Sequence, residues 1–386
     1  MKKIWPFSFY FLYFVAFASL LPFLVLFYQQ LGFNGTQIGL LTGLPPLITL
    51  AGAPFLTGVA DSTRRHRLIM SLGIVGAVLV VLSLQYLRSF PIVFFFIIVF
   101  NIFMSPLSPL ADSATLSMLG DEKAMYGRIR LGGTIGWGAF APIAGALVEN
   151  YGLRIGFWLF SAAMLFNLIV SQKFNFSRTD EEPGTKNGGI RLLLTNRHWI
   201  FFLLTTFLGG LGSMSAAAYL FPYMAELGAN ETTMGIAITI STLTELPVFF
   251  FGHYLVKRFT SRGLLLLALL MLGIRSLLYT LVNTPSQVLL VQAFGGTIFP
   301  AMWLAGVSYA DENAPPGLKS TAQGLFGAMT FGFGSAVGGL LGGPMLENLG
   351  GRGMFLVFGI VILVGLALIE GTKRFMAFSV YEKEIQ

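Results

Sequence analysis

Five ionisable residues stand inside long apolar stretches of this 386-residue chain: Asp112, Arg128, Arg130, Glu245 and Arg275. A charge in an apolar medium is costly, so each is a candidate for function and each needs a partner. Spacing suggests the partners. Asp112 and Arg130 are each nine residues from position 121, in the polar turn GDEKAMYG. In two antiparallel helices that places both roughly 13 Å from the turn, at one depth. Glu245 and Arg275 are likewise equidistant from position 260, in KRFTSR. Arg128 lies about 200° around the helix from Arg130 and belongs to the loop or to lipid headgroups. Two chemistries are open to each acid–arginine pair. It can lock adjacent helices, or it can serve a solute, the guanidinium gripping a carboxylate through two bonds and the acid taking a hydroxyl or a proton.

Other polar or aromatic residues share these stretches: Asn101, Trp137, Gln292, Trp303 and Tyr309. Trp137 falls about two turns beyond Arg130 on the same helical face, where its ring can stack on a sugar or an aromatic solute. The chain has no Cys, and its three His (66, 198 and 253) fall near predicted helix ends or loops. That leaves no disulfide, no thiolate metal site and no nucleophile–base cluster. A phosphate-binding GxxxxGK[ST] stretch is also absent. An enzyme and an ATP-driven pump are therefore set aside, no cofactor or metal is expected, and a proton gradient is the candidate driving force.

The elements that carry these residues are apolar runs of span length. The chain is 55% hydrophobic and 11% charged, against about a quarter charged in a soluble protein. Runs recur at 4–29, 37–60, 68–87, 91–117, 129–148, 155–173, 199–225, 234–256, 264–282, 286–309, 320–345 and 353–371. Each is near the ~20 residues a bilayer requires, and none alternates as a membrane barrel strand does. The expected fold is all-α and integral to the membrane, with twelve transmembrane helices. The first run is too long for a cleaved signal peptide and is read as the first span.

Twenty of the 24 Lys and Arg fall at the termini and in loops on one side of such a fold. That bias puts both termini in the cytoplasm of a multi-pass protein of the cell (inner) membrane. The net charge of +7 then serves topology and anionic lipids, not nucleic acid. The partners expected are a small-molecule substrate and membrane lipids, and the protein is expected to be a monomer.

Two stretches read as copies. Leu31–Gly39 (LGFNGTQIG) matches Leu227–Gly235 (LGANETTMG), 196 residues on, and Val148–Phe157 (VENYGLRIGF) matches Leu346–Phe355 (LENLGGRGMF), 198 on. Two nearly equal offsets imply a duplicated unit of six spans, with the solute site between the copies. The organisation expected is a six-helix bundle over 1–174, a cytoplasmic linker over 175–197 carrying SRTDEEPGTKNGG, and a second six-helix bundle with a short cytoplasmic tail over 198–386. Asn34-Gly-Thr36 and Asn230-Glu-Thr232 match the glycosylation sequon, but their repetition in short loops points to a structural role. Glycines at GxxxG spacing, Gly132 to Gly136 and Gly334 to Gly343, suit close helix approach, and prolines such as 45, 46, 106 and 300 suit kinks that line cavities.

With these residues in place, the chain resembles the major facilitator superfamily over almost its whole length. More narrowly, it is similar to the phenylpropionate permease-like branch and, more distantly, to lactose permease and the oligosaccharide and nucleoside–proton symporters. The segments FNIFMSPLSPLADSATL (Phe100–Leu116) and YGRIRLGGTIGW (Tyr126–Trp137) carry the resemblance. It implies that Asp112, Arg130 and Trp137 contact substrate, and that Glu245 and Arg275 take part in binding and proton coupling. It also implies a gating loop between spans two and three at Asp61, Arg64, Arg65 and Arg67, with Thr57 in the place of the family's first Gly. Span ten departs from the pattern: Gly295 stands where a His is expected and Ile298 where lactose permease has its coupling acid. The function implied is secondary transport of a small polar organic solute by alternating access, as proton symport. The solute is an organic or aromatic acid, a sugar or a nucleoside. Asn101 and Gln292 join Asp112, Arg130, Trp137 and Arg275 as binding candidates, and Glu245, with Asp112 second, is the candidate proton carrier. The alternatives are a uniporter, a drug-efflux antiporter and a transporter-derived sensor.

Overall fold

The computed structural model describes residues 3–176 and 189–385, and every regular element in them is helical. The N-terminal portion holds α1 (Ile4–Leu20), α2 (Leu24–Gln30), α3 (Gly35–Thr63), α4 (His66–Leu84), α5 (Phe90–Met104), α6 (Leu107–Leu119), α7 (Tyr126–Tyr151) and α8 (Ile155–Ser171). The C-terminal portion holds α9 (Gly189–Thr195), α10 (Arg197–Glu226), α11 (Glu231–Phe250), α12 (Gly252–Phe259), α13 (Ser261–Leu281) and α14 (Pro285–Gly295). It continues with α15 (Ile298–Asn313), α16 (Lys319–Gly327) and α17 (Ser335–Ile385). Most of the expected linker, 177–188, lies outside the described residues, and its last part forms α9.

Among the described residues, ten helical segments are long and apolar enough to cross a membrane, against the twelve spans expected. Two features account for the difference. The sixth expected span forms α8, an apolar helix of only 17 residues. The last segment, Lys319–Lys373, runs through two expected spans and turns at Gly350, whose φ of 66° is a left-handed conformation suited to glycine.

Several of these segments are broken along their length. Pro22 opens a 3-10 turn between α1 and α2, and α5 gives way to α6 at Ser105-Pro106. The step from α14 to α15 falls at Gly296-Thr297. A π-helical stretch, Ala328–Gly334, joins α16 to α17. Free backbone groups are tolerated in a membrane only inside protein or along a cavity.

The duplicated motifs make equivalent structures. Asn34 caps α3, its side chain accepting from Gln37 N at 2.9 Å, and Asn230 caps α11 by accepting from Thr233 N at 2.9 Å. Gly32 (φ 76°) and Gly228 (φ 79°) make the turn before each cap. Both asparagines therefore hold structural positions. At the other motif, Asn150 donates to Ala146 O and Asn348 to Pro344 O, each at 2.7 Å.

The motifs also meet crosswise. Glu149, from the first copy, accepts from Asn230 Nδ2 at 3.0 Å and from the Thr232 hydroxyl in the second. Glu347, from the second, accepts from Gly35 N at 2.7 Å in the first. Each carboxylate thus sits on the N-terminus of a helix in the opposite portion, where the unpaired N–H groups and helix dipole favour an anion. Glycines let the backbones close here: a Cβ on Gly343 would strike Gly39 at 2.6 Å, and one on Gly39 would meet Pro344 at 3.2 Å. In lipid, where apolar burial gives helices no net attraction, such close approach is a principal source of association.

Candidate functional site

Beyond this closed end, the N-terminal and C-terminal portions enclose a cavity of about 920 Å³. Rings line it from both sides, Phe221, Phe299 and Phe331 from the C-terminal portion among them, but its acid and its arginine both come from the C-terminal portion. Helices from the N-terminal portion contribute Tyr13, Tyr28, Phe100, Asn101 and Trp137, an aromatic wall with one amide. The C-terminal portion contributes Glu245 from α11, Arg275 from α13, and Gln292 and Gly295 from α14. Pro22, at the break between α1 and α2, and Pro45 and Pro46, inside α3, also line it. Asn101 spends one amide N–H on Ile97 O at 2.8 Å, so its second N–H and its amide oxygen are left for a solute.

The charged wall is not the ion pair expected from spacing. Glu245 and Arg275 face one cavity, close enough for their charges to interact, yet Arg275 bonds elsewhere. Its Nη2 donates to Gln292 Oε1 at 2.5 Å and its Nε to the Tyr279 hydroxyl at 3.0 Å, with the guanidinium 5.5 Å from the Tyr279 ring centre. Tyr279 in turn donates to Gln292 Oε1 at 3.3 Å. Gln292 and Tyr279 are buried, so the triangle is a rigid seat. Glu245 makes no hydrogen bond or ion pair among the described residues. One cavity wall therefore presents an acid and an arginine that do not neutralise each other.

The other expected pair does form, but away from this lining. Arg130 Nη1 donates to both carboxylate oxygens of Asp112, at 3.1 and 3.2 Å, and to the Tyr126 hydroxyl at 2.6 Å. Tyr10 donates to Asp112 at 2.5 Å. Neither Asp112 nor Arg130 is among the residues lining the cavity. The cluster joins α1, α6 and α7. Arg128 is exposed.

Trp303 and Tyr309 also fall outside the lining. Trp303 packs on Phe326 and Phe331, and Tyr309 stacks on Phe202 at 4.3 Å. In the expected gating loop, Asp61 bonds His66 at 2.7 Å, Arg64 ends α3 in a left-handed conformation (φ 56°), and Arg67 donates to Phe174 O at 2.8 Å. Arg65 is exposed. Among the described residues, the loop's bonds stay within the N-terminal portion. No group of three His, Cys, Asp or Glu among the described residues is placed to hold a metal.

Sequence reasoning passed over Tyr13, Tyr28 and Tyr279, which carry no local signal beyond aromatic character in an apolar run. It also noted Glu149 and Glu347 as repeated residues without placing them opposite the other repeated motif. The signal was present, since both motif pairs border predicted short loops on one side of the membrane.

Comparison with known proteins places this geometry. The MFS_1 like family model matches residues 4–357. A maltose permease of Geobacillus stearothermophilus is 28% identical over 375 residues, covering 97% of this chain and 95% of that protein. A probable 3-phenylpropionic acid transporter of Escherichia coli (strain K12) is 23% identical over 368 residues, covering 93% and 95%. The crystal structure of nucleoside transporter NupG superposes with a TM-score of 0.81 at 17% identity, covering 96% of this chain and 98% of that one.

Proposed function

The chain belongs to the MFS_1 like family, and from that premise we propose that it is a secondary transporter for a small, polar, ring-bearing solute. It is a multi-pass membrane protein and not an enzyme. The relatives' names point to sugar, nucleoside or aromatic acid transport. The observation that carries the reading is the two-sided cavity: aromatic rings from the N-terminal portion face Glu245, Arg275 and Gln292 from the C-terminal portion. A ring stacks on the first wall. Hydroxyls or a carboxylate bond the second, where Arg275 donates and Glu245 accepts.

The mechanism we infer is alternating access. Twelve spans in two six-helix bundles, 1–174 and 198–386, rock about the cavity, which is closed at the end held by Glu149 and Glu347. With both termini cytoplasmic in the inner membrane, that closed end faces outward. The protein acts as a monomer. Glu245 is the group we assign to proton carriage, since it faces the cavity without a bonded partner, and the cycle is then solute–proton symport. Arg275, Gln292, Asn101 and Trp137 are the solute contacts. Asp112 and Arg130, off the lining, act on it only through the packing of α1, α6 and α7.

The test is counterflow in proteoliposomes with radiolabelled maltose, uridine and 3-phenylpropionate. Exchange of at least one of them without ATP is expected. A folded protein that exchanges none of the three contradicts the solute class.

A further inference from the structure

From the contacts of α14 we infer that Gly295 and Gly296 are positioning residues that hold Arg275 and Glu245 apart on the cavity wall. The inference rests on the reading of this cavity as the solute site.

Neither glycine is needed for its backbone. Gly296 has φ −63° and ψ −22°, ordinary right-handed helix, and Gly295 ends α14 without a positive φ. The requirement is steric. A Cβ on Gly295 would strike Arg275 at Nε, would lie 2.6 Å from Cζ, and would lie 2.8 Å from Cδ. The guanidinium and the end of its stem therefore lie flat on the bare backbone. Gln292, one turn earlier on the same helix face, supplies the oxygen that holds the guanidinium there. A Cβ on Gly296 would strike Thr244 Oγ1 and Ser241 O, and would lie 2.8 Å from Ser241 C. Thr244 directly precedes Glu245 on α11. Adjacent glycines thus seat two different neighbours, the arginine of α13 and the acid-bearing turn of α11.

Several packing glycines in this chain meet apolar side chains alone. Gly273 faces Leu363, and Gly212 faces Ile362 and Leu272. At Gly295 the neighbour is a cavity-lining guanidinium, which a methyl group would have to displace. A methyl group there lifts Arg275 off Gln292 and into the cavity, toward the unbonded Glu245. The two charges then close on each other, and a solute loses both a donor and an acceptor.

Gly295→Ala is well suited to a test, because alanine favours the helix over glycine and the variant is expected to fold. The first readout is independent of any solute. Dicyclohexylcarbodiimide attacks carboxyl groups in membrane proteins, and its adduct at Glu245 is measured by peptide mass spectrometry. Gly295→Ala is expected to slow that labelling several-fold, while Leu290→Ala, at a lipid-facing position 73% exposed, leaves it unchanged. Equal labelling of Gly295→Ala and the parent protein overturns the inference.

The second readout is exchange of whichever of maltose, uridine and 3-phenylpropionate the parent protein carries. Gly295→Ala is expected to raise KM about tenfold, the loss of one or two charge-assisted hydrogen bonds, with the maximal rate changed less than about twofold. The double variant Gly295→Ala/Arg275→Lys should be no worse than Arg275→Lys alone, since both changes act through one side chain. Additive losses, or a fall in maximal rate with KM unmoved, overturn the positioning role. If the parent protein exchanges none of the probes, the solute-site reading fails, and the labelling result still decides whether Gly295 separates the charges.

Discussion

Glu347 Oε2 accepts the backbone N–H of Gly35 at 2.7 Å across 312 residues of sequence. Gly35 is the first residue of α3, so the carboxylate closes the end of a helix that begins in the other copy of the repeat. Glu149 does the same for α11, through Asn230 and Thr232. Two equivalent acids each cap the other portion's helix, and in the proposed alternating-access cycle both caps break when this end of the cavity opens.

The first prediction follows from that pair. Glu149→Gln and Glu347→Gln each weaken a charge-assisted hydrogen bond, and together they shift the closed–open balance by roughly tenfold or more. The chain has no Cys, so a single cysteine at Ser213, which lines the cavity, reports access. Membrane-impermeant maleimide added outside should label that cysteine faster in the double variant than in the parent. Equal rates would separate these acids from gating.

A second prediction distinguishes the two arginines. Arg275→Lys keeps charge but loses the planar fork that spans Gln292 and Tyr279, so the KM of the transported solute should rise about tenfold. Arg130→Lys alters a half-exposed pair off the cavity lining, where an ion pair contributes about 1 kcal/mol or less. It should lower the melting temperature slightly and leave KM within about twofold. The reverse order of KM effects would return solute contact to Asp112 and Arg130.

Glu245→Gln supplies the third. The glutamine is close in size and cannot carry a proton across the cycle. Accumulation driven by a pH gradient should vanish while equilibrium exchange persists. Loss of both activities would make Glu245 a binding or folding residue, and loss of neither would remove it from the coupling mechanism.

The sequence reading was sound where the cause is local. Asn34 and Asn230 cap helices because a side-chain oxygen one residue before a helix pairs a free N–H, and the spacing Asn-x-x-Gln or Asn-x-x-Thr is visible in one segment. The Asp112–Arg130 contact was legible because a hairpin sets the depth of two consecutive helices. The same arithmetic misjudged Glu245 and Arg275. Equal depth holds for them, but Gln292 reaches Arg275 from α14, a third helix, and two-helix geometry takes no account of it. Gly295 was visible as a departure from the family pattern in span ten. Its consequence, a guanidinium lying on bare backbone, depends on how α13 and α14 pack. The crosswise glutamate caps were written as matching repeats, and only packing in three dimensions sets each opposite the other's helix.

If the aromatic wall and the charged wall grip one solute during transport, counterflow by Trp137→Ala and Arg275→Gln beside the parent protein shows it. The two residues come from opposite portions of the chain and line one cavity. The parent should exchange at least one of maltose, uridine and 3-phenylpropionate, and each variant, folded and inserted, should lose most exchange of that same solute. Exchange that survives both substitutions with unchanged KM would contradict it.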